Sequence, residues 1–194
     1  MTQADSIYAV QRWQAIGTQA FAIKDYRLAE KMFREALVLT PTADICIGIG
    51  ESLGQMGKIA EARAAFEQAI ALDPRCAKAW YNMGVMYEKE NMVVEAEAAY
   101  EKGIAIEPLA EAVNNLANCK RALLKLDEAE ANYRRATELG YGAAQLNLAL
   151  LLMLRGDYVQ GLPLFERRDK HAADDAYAPA REILRILDEV GKIP

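Results

Sequence analysis

The chain has 194 residues, with 28 acidic against 23 basic side chains, a formal net charge of -5 and a pI near 5.1. That balance argues against a nucleic-acid or anionic-membrane partner, whose surface requires Lys and Arg gathered on one face. Three cysteines without close spacing and a single histidine exclude a disulfide framework and a zinc site of ordinary composition, so no metal and no cofactor is expected.

The first ten residues, MTQADSIYAV, lack the basic start and apolar run of an export signal, and the expected compartment is the cytoplasm. From residue 10 a unit recurs about every 33 residues, giving five copies over about 10–42, 43–76, 77–109, 110–141 and 142–170. The first carries Trp13, Ile16, Gly17, Ala29, Phe33, Ala36 and Pro41, and the second Cys46, Ile49, Gly50, Leu53, Ala62, Phe66, Ala69 and Pro74. The third is the most complete, with Trp80, Met83, Gly84, Tyr87, Ala96, Tyr100, Gly103 and Pro108. The fourth keeps Leu116, Ala117, Ala129, Tyr133 and Ala136 but has Gly140-Tyr141 where the proline belongs. In the fifth, Leu148, Ala149 and Phe165 remain, Gly161 replaces the packing Ala, and Pro163 falls inside the expected second helix. The apolar stretch Ala143 to Leu154 is far shorter than the roughly 20 residues that span a bilayer, so it reads as a buried helix without membrane insertion. After a loop around Lys170 to Tyr177, Pro179 and Gly191 bracket a C-terminal helix over about 178–191, with Ile183, Leu184, Leu187 and Val190 on one apolar stripe.

These residues and their period are identified as tetratricopeptide (TPR) repeats. The resemblance implies an all-α, right-handed TPR superhelix, an α-solenoid of about five helix pairs with a C-terminal capping helix, forming a single solenoid over 1–194. Gly84 and Ala117 are expected where two helices of a repeat cross closely, Tyr100, Phe33 and Phe66 in the wedge between repeats, and Trp80 buried between helices. The prolines end the second helices because they lack the donor that would continue them.

No enzyme active site is visible. Gly48, Gly50, Gly54 and Gly57 approach a GxGxxxG spacing, but no strand precedes them as a dinucleotide site requires. Glu128-Glu130 and Asp174-Asp175 lack the separate environments that split two carboxyl pKa values into acid and base roles. Cys46, Cys76 and Cys119 read as reduced structural thiols, and His171 as a surface residue.

In a TPR superhelix the first helices line the concave wall, so a protein or peptide partner would meet Tyr81, Asn82 and Lys89 in the third copy, Asn114, Asn115, Asn118 and Arg121 in the fourth, and Asn147 in the fifth. Asn82, Asn115 and Asn147 hold equivalent positions, which Ala15 and Gly48 vacate in the first two copies. That resembles the asparagine ladder in the TPR superhelix of O-linked GlcNAc transferases, which binds the backbone of an extended peptide; an amide offers both a donor and an acceptor to a peptide group. The repeat consensus also favours Asn here, so packing is a competing explanation. Gln14, Thr18 and Gly48 stand where a chaperone-binding carboxylate clamp needs Lys and Asn, which disfavours an acidic C-terminal tail as ligand. The expected function is a protein-interaction scaffold. Its rivals are a secretion chaperone resembling the type III TPR class, or a docking module for a separate glycosyltransferase. In the fifth copy the wall turns apolar at Leu146, Leu150, Met153 and Leu154, a patch that calls for cover by the C-terminal helix or by pairing of two chains through that repeat.

Overall fold

The computed structural model describes residues 3–166, and the expected C-terminal helix and the loop before it lie outside them. The described residues form ten helices and no strand: α1 (Gln3–Ala22), α2 (Tyr26–Leu39), α3 (Ala43–Gln55), α4 (Ile59–Leu72), α5 (Ala77–Lys89), α6 (Val93–Ile106), α7 (Ala110–Ala122), α8 (Leu126–Glu138), α9 (Gly142–Leu154) and α10 (Tyr158–Glu166). Each odd-numbered helix packs on the even-numbered one after it, and each pair stacks on the next. No pair could cover its apolar faces alone, so the stack is the folding unit.

The stack is held by aromatic rings seated on glycine. Phe33 of α2 lies between Gly17 of α1 and Gly48 of α3, where a Cβ would stand 3.1 Å and 2.8 Å from the ring. Phe66 sits on Gly50 and Tyr100 on Gly84, each with 2.5 Å to where a Cβ would be. The small residue therefore makes room for a ring rather than for a crossing backbone, which corrects the reason expected from sequence. Ala117 and Tyr133 share a core in the fourth repeat, and both are fully buried.

Trp80 also departs from expectation. It is half-buried rather than enclosed: its indole Nε1 donates to the Pro74 carbonyl at 3.1 Å, and the Lys102 ammonium stands 4.4 Å above its ring. The side chain ties the turn between the second and third repeats to α5. It packs against the core from its edge.

The turn inside each repeat has one geometry. Lys24, Gly57, Asn91, Leu124 and Gly156 all adopt positive φ, between 58 and 83°. The next amide bonds back five residues, as in Asp25 N–H to the Ala20 carbonyl and Lys125 N–H to the Lys120 carbonyl, both 2.9 Å. This is the Schellman closure that glycine adopts without strain. Gly140 makes the same closure at the end of α8, with Tyr141 N–H on the Ala136 carbonyl at 2.9 Å. A left-handed glycine there replaces proline as the helix stop.

Ion pairs fix the register of neighbouring repeats by joining a second helix to the turn inside the next repeat. Arg63 of α4 meets Glu90 at 2.7 Å, Glu97 of α6 meets Lys125 at 2.7 Å, and Glu130 of α8 meets Arg155 at 2.8 Å. On α1 the outer face is polar: Arg12 and Gln19 are exposed where the equivalent Ile45 and Ser52 of α3 are buried. Pro163 is accommodated inside α10, on its exposed side.

Two substitutions test this account. Leu124 is 80% exposed and has φ 60°, so Leu124→Gly removes left-handed strain with little packing loss. It should raise stability by about 0.5–1 kcal/mol in urea titration, and a lowered midpoint would contradict the strain. Conversely, Gly84→Ala drives a methyl into the Tyr100 ring and should destabilise by about 1–3 kcal/mol; an unchanged denaturation curve would show that the ring is free to move.

Candidate functional site

The first helices of successive repeats are bonded to one another through side chains on their inner faces. Asn82 of α5 is buried, and its Nδ2 donates to Oε1 of Glu51 on α3 at 3.1 Å. Lys78 reaches the same oxygen at 2.9 Å. Asn147 of α9 donates to Oδ1 of Asn114 on α7 at 2.9 Å, and Asn114 donates in turn to Oδ1 of Asn115 at 3.2 Å. The rung between α7 and α9 is thus one residue off the expected column, and buried Asn114 has both amide ends engaged within the protein. For Asn82 and Asn147, no bond to Oδ1 is present among the described residues.

The remaining expected contact residues line the same wall. Asn118 accepts the Tyr133 hydroxyl at 2.6 Å, and Arg121, exposed, reaches that hydroxyl as well. Burial pushes the Tyr133 phenol up, and Arg121 partly opposes it. Tyr81 is half-buried against the Tyr100 ring, and burial together with its bond to Glu111 raises its phenol well above the ordinary range. Lys89 is exposed at the rim of a cavity that Tyr81 and Asn82 also line.

Between α5 and α7 lies a polar cluster that the sequence did not reveal. Glu88 receives the Tyr100 hydroxyl on Oε2 at 2.5 Å and the Cys119 thiol on Oε1 at 3.8 Å. Burial, reinforced by the Glu88 charge, pushes the Cys119 thiol up to about 12 and Tyr100 higher still. A thiol held protonated this way is a poor nucleophile. Nearby, burial works to lower the Lys120 ammonium, but Glu128 at 2.6 Å and Glu101 at 3.3 Å outweigh it and leave its pKa raised.

Toward the N-terminal end the wall opens into two cavities of about 310 Å³ each, one between α1 and α3 floored by Phe33, Ile47 and Gly48, the other between α3 and α5 floored by Phe66, Val85 and Met86. Phe21 and Glu51 belong to both. Gly48 occupies the position that Asn82 fills one repeat later, and its missing side chain opens the first cavity onto the Phe33 ring. At the C-terminal end Leu150 and Leu154 of the apolar wall are 40% and 73% exposed, and the stripe expected to cover them lies outside the described residues.

Residues 47–111 match the family described as tetratricopeptide repeat. The described residues have the fold of a tetratricopeptide-repeat superhelix. The chain superimposes on a solved structure titled as the functional characterization of Pseudomonas aeruginosa pilF with a TM-score of 0.81 at 18% identity, covering 89% of this chain and 80% of that one. It is similar also to the crystal structure of MamA protein, with a TM-score of 0.69 at 18% identity, covering 81% of this chain and 88% of the other. The RNA polymerase-associated protein CTR9 of Caenorhabditis elegans is 35% identical over 69 residues, a stretch that is 34% of this chain and 6% of that protein. The TPR fold is a protein-interaction scaffold, and no helix among the described residues is long and apolar enough to cross a membrane.

Glu51, the Gly48 opening and the convergence of Tyr100 and Cys119 on Glu88 escaped sequence reasoning. The only signal was the glycine standing in the column of asparagines. Thiol chemistry tests the burial assigned here: in the native state Cys76, half-exposed, should react first with a thiol reagent, while Cys46 and Cys119, both buried, should react only on unfolding. Equal native rates for all three would contradict the packing around Glu88.

Proposed function

We propose that this chain is a scaffold that holds an extended segment of a partner protein in its concave groove, gripping the segment's backbone. The observation that carries this is the inner row of amides. Asn82 and Asn147 each spend a donor on a neighbouring first helix and keep a carbonyl oxygen with no bond among the described residues. A peptide backbone needs such acceptors for its N–H groups, and Asn118, Arg121 and Lys89 add further polar atoms along the wall. The amides therefore serve two ends, tying first helices together and offering acceptors on α5 and α9 to a chain lying along the wall. Recognition of this kind reads little side-chain identity, which suits an adaptor.

The test replaces Asn82, Asn115 and Asn147 together by Ala. Loss of the two bonds between first helices, Asn82 to Glu51 and Asn147 to Asn114, should cost about 1 kcal/mol each, leaving the helical content in circular dichroism unchanged. Affinity for the natural partner, identified by affinity capture and then measured by calorimetry with purified partner, should fall at least tenfold. Equal affinity of the triple variant and the parent would remove the amide row from the binding account.

A further inference from the structure

We propose that residues 178–191 dock on the open edge of α9, in the place that a sixth first helix would take, and so close the C-terminal end of the stack within one chain. The proposal is independent of the groove binding inferred above.

The edge by which one first helix receives the next lies at fixed places, counted from the residue that opens the helix: Ala43, Ala77, Ala110 or Gly142. In α3 the ninth residue, Glu51, takes the bonds from Lys78 and Asn82 of α5. The twelfth, Gly54, lies where an added Cβ would stand 3.4 Å from the end of Met86 of α5. In α5 the twelfth residue, Glu88, accepts the Cys119 thiol of α7, and in α7 the fifth, Asn114, accepts Nδ2 of Asn147 of α9. The fifth, ninth and twelfth places therefore face the next repeat. In α9 they hold Leu146, Leu150 and Met153.

No helix among the described residues covers that edge of α9. Leu150 is 40% exposed, whereas Glu51, Val85 and Asn118 at the same place are half-buried. The edge also differs in kind. Where the inner repeats offer a carboxylate or an amide to the incoming helix, these three places of α9 offer neither, so an occupant must present apolar side chains and be held by burial. Leu154 is at the thirteenth place, exposed also as Gln55, Lys89 and Ala122, and lies outside the contact.

The other end of the stack argues against head-to-tail pairing of two copies. There α1 turns Arg12 and Gln19 outward at the third and tenth places, which hold buried Ile45 and Ser52 in α3. Seating those polar groups on leucines would bury them without hydrogen bonds. Within the chain, by contrast, the sequence sets Ile183, Leu184, Leu187 and Val190 at helical spacing between Pro179 and Gly191, a stripe with no polar member. These residues lie outside the described ones, and chain length allows the contact. α10 packs along α9, so the connection starts beside the edge it must reach. Residues 167–177 can extend over about 35 Å at roughly 3.3 Å per residue, and α9, with 13 residues, is about 20 Å long.

The experiment is hydrogen–deuterium exchange read by mass spectrometry on the full chain, beside sedimentation over a wide range of concentration. Amides of 183–190 should exchange at least tenfold more slowly than those of an isolated peptide of the same sequence, with the chain monomeric throughout. Leu150→Asp should release them to the peptide's rates while α5 and α6 keep their protection. Reciprocally, Leu184→Asp combined with Leu187→Asp should speed exchange over 146–154 several-fold, and this pair decides alone if Leu150→Asp fails to fold. Peptide-like rates over 183–190 in the parent would make the segment a free tail and overturn the proposal. So would protection that Leu150→Asp leaves intact, or an unchanged 146–154 stretch in the double variant, since either puts the docking elsewhere. A parent dimer that Leu150→Asp dissociates, or protection that falls on dilution, gives the edge to a second copy and overturns it as well.

Discussion

The contact on which the rest of the structure depends is an aromatic ring of one helix pressed onto a glycine of another. Phe33, Phe66 and Tyr100 each fill space that a single Cβ would close, and Phe33 touches glycines in both its own repeat and the next. Close packing of this kind tolerates no added methyl without displacement. Phe66 and Tyr100 thereby set the spacing within their repeats, and Phe33, lying between Gly17 and Gly48, sets the spacing of the first helices α1 and α3. The ion pairs from Arg63, Lys125 and Arg155 lie partly in water and add register more than stability.

Polar groups on the inner wall join successive first helices and, under the proposed groove binding, also face the bound segment. Glu51 and Asn82, or Asn114 and Asn147, satisfy one another across adjacent first helices, as buried polar groups must. Because an amide has more hydrogen-bonding sites than one neighbour consumes, the structural bond leaves an acceptor for a ligand. Packing and peptide gripping, which stand as alternatives when the asparagines are viewed in sequence, are compatible uses of the same side chain. Asn114 marks the limit of this economy, being buried with both ends engaged.

The periodic features were legible in the sequence because they depend on residue type at fixed spacing: helix pairs, rings, small residues and helix-stopping prolines. What depends on backbone closure was not. Lys24, Asn91 and Leu124 take the same left-handed turn as Gly57 and Gly156, yet neither lysine nor leucine advertises positive φ. Carboxylates were equally opaque. The repeat period puts Glu88 on the inner wall, but does not show that Tyr100 and Cys119, 12 and 31 residues away, converge on it. Trp80 matched its repeat position, but its edge-of-core placement follows from the Pro74 carbonyl that its indole reaches.

The groove consequently has two chemistries along its length, with the change at Gly48. C-terminal to it, Asn82 and Asn147 set amides on the inner faces of α5 and α9; at Gly48 the Phe33 ring leaves no room for a Cβ, and that ring lines a cavity instead. One packing constraint thus keeps an amide out of α3 and leaves a cavity beside the Phe33 ring.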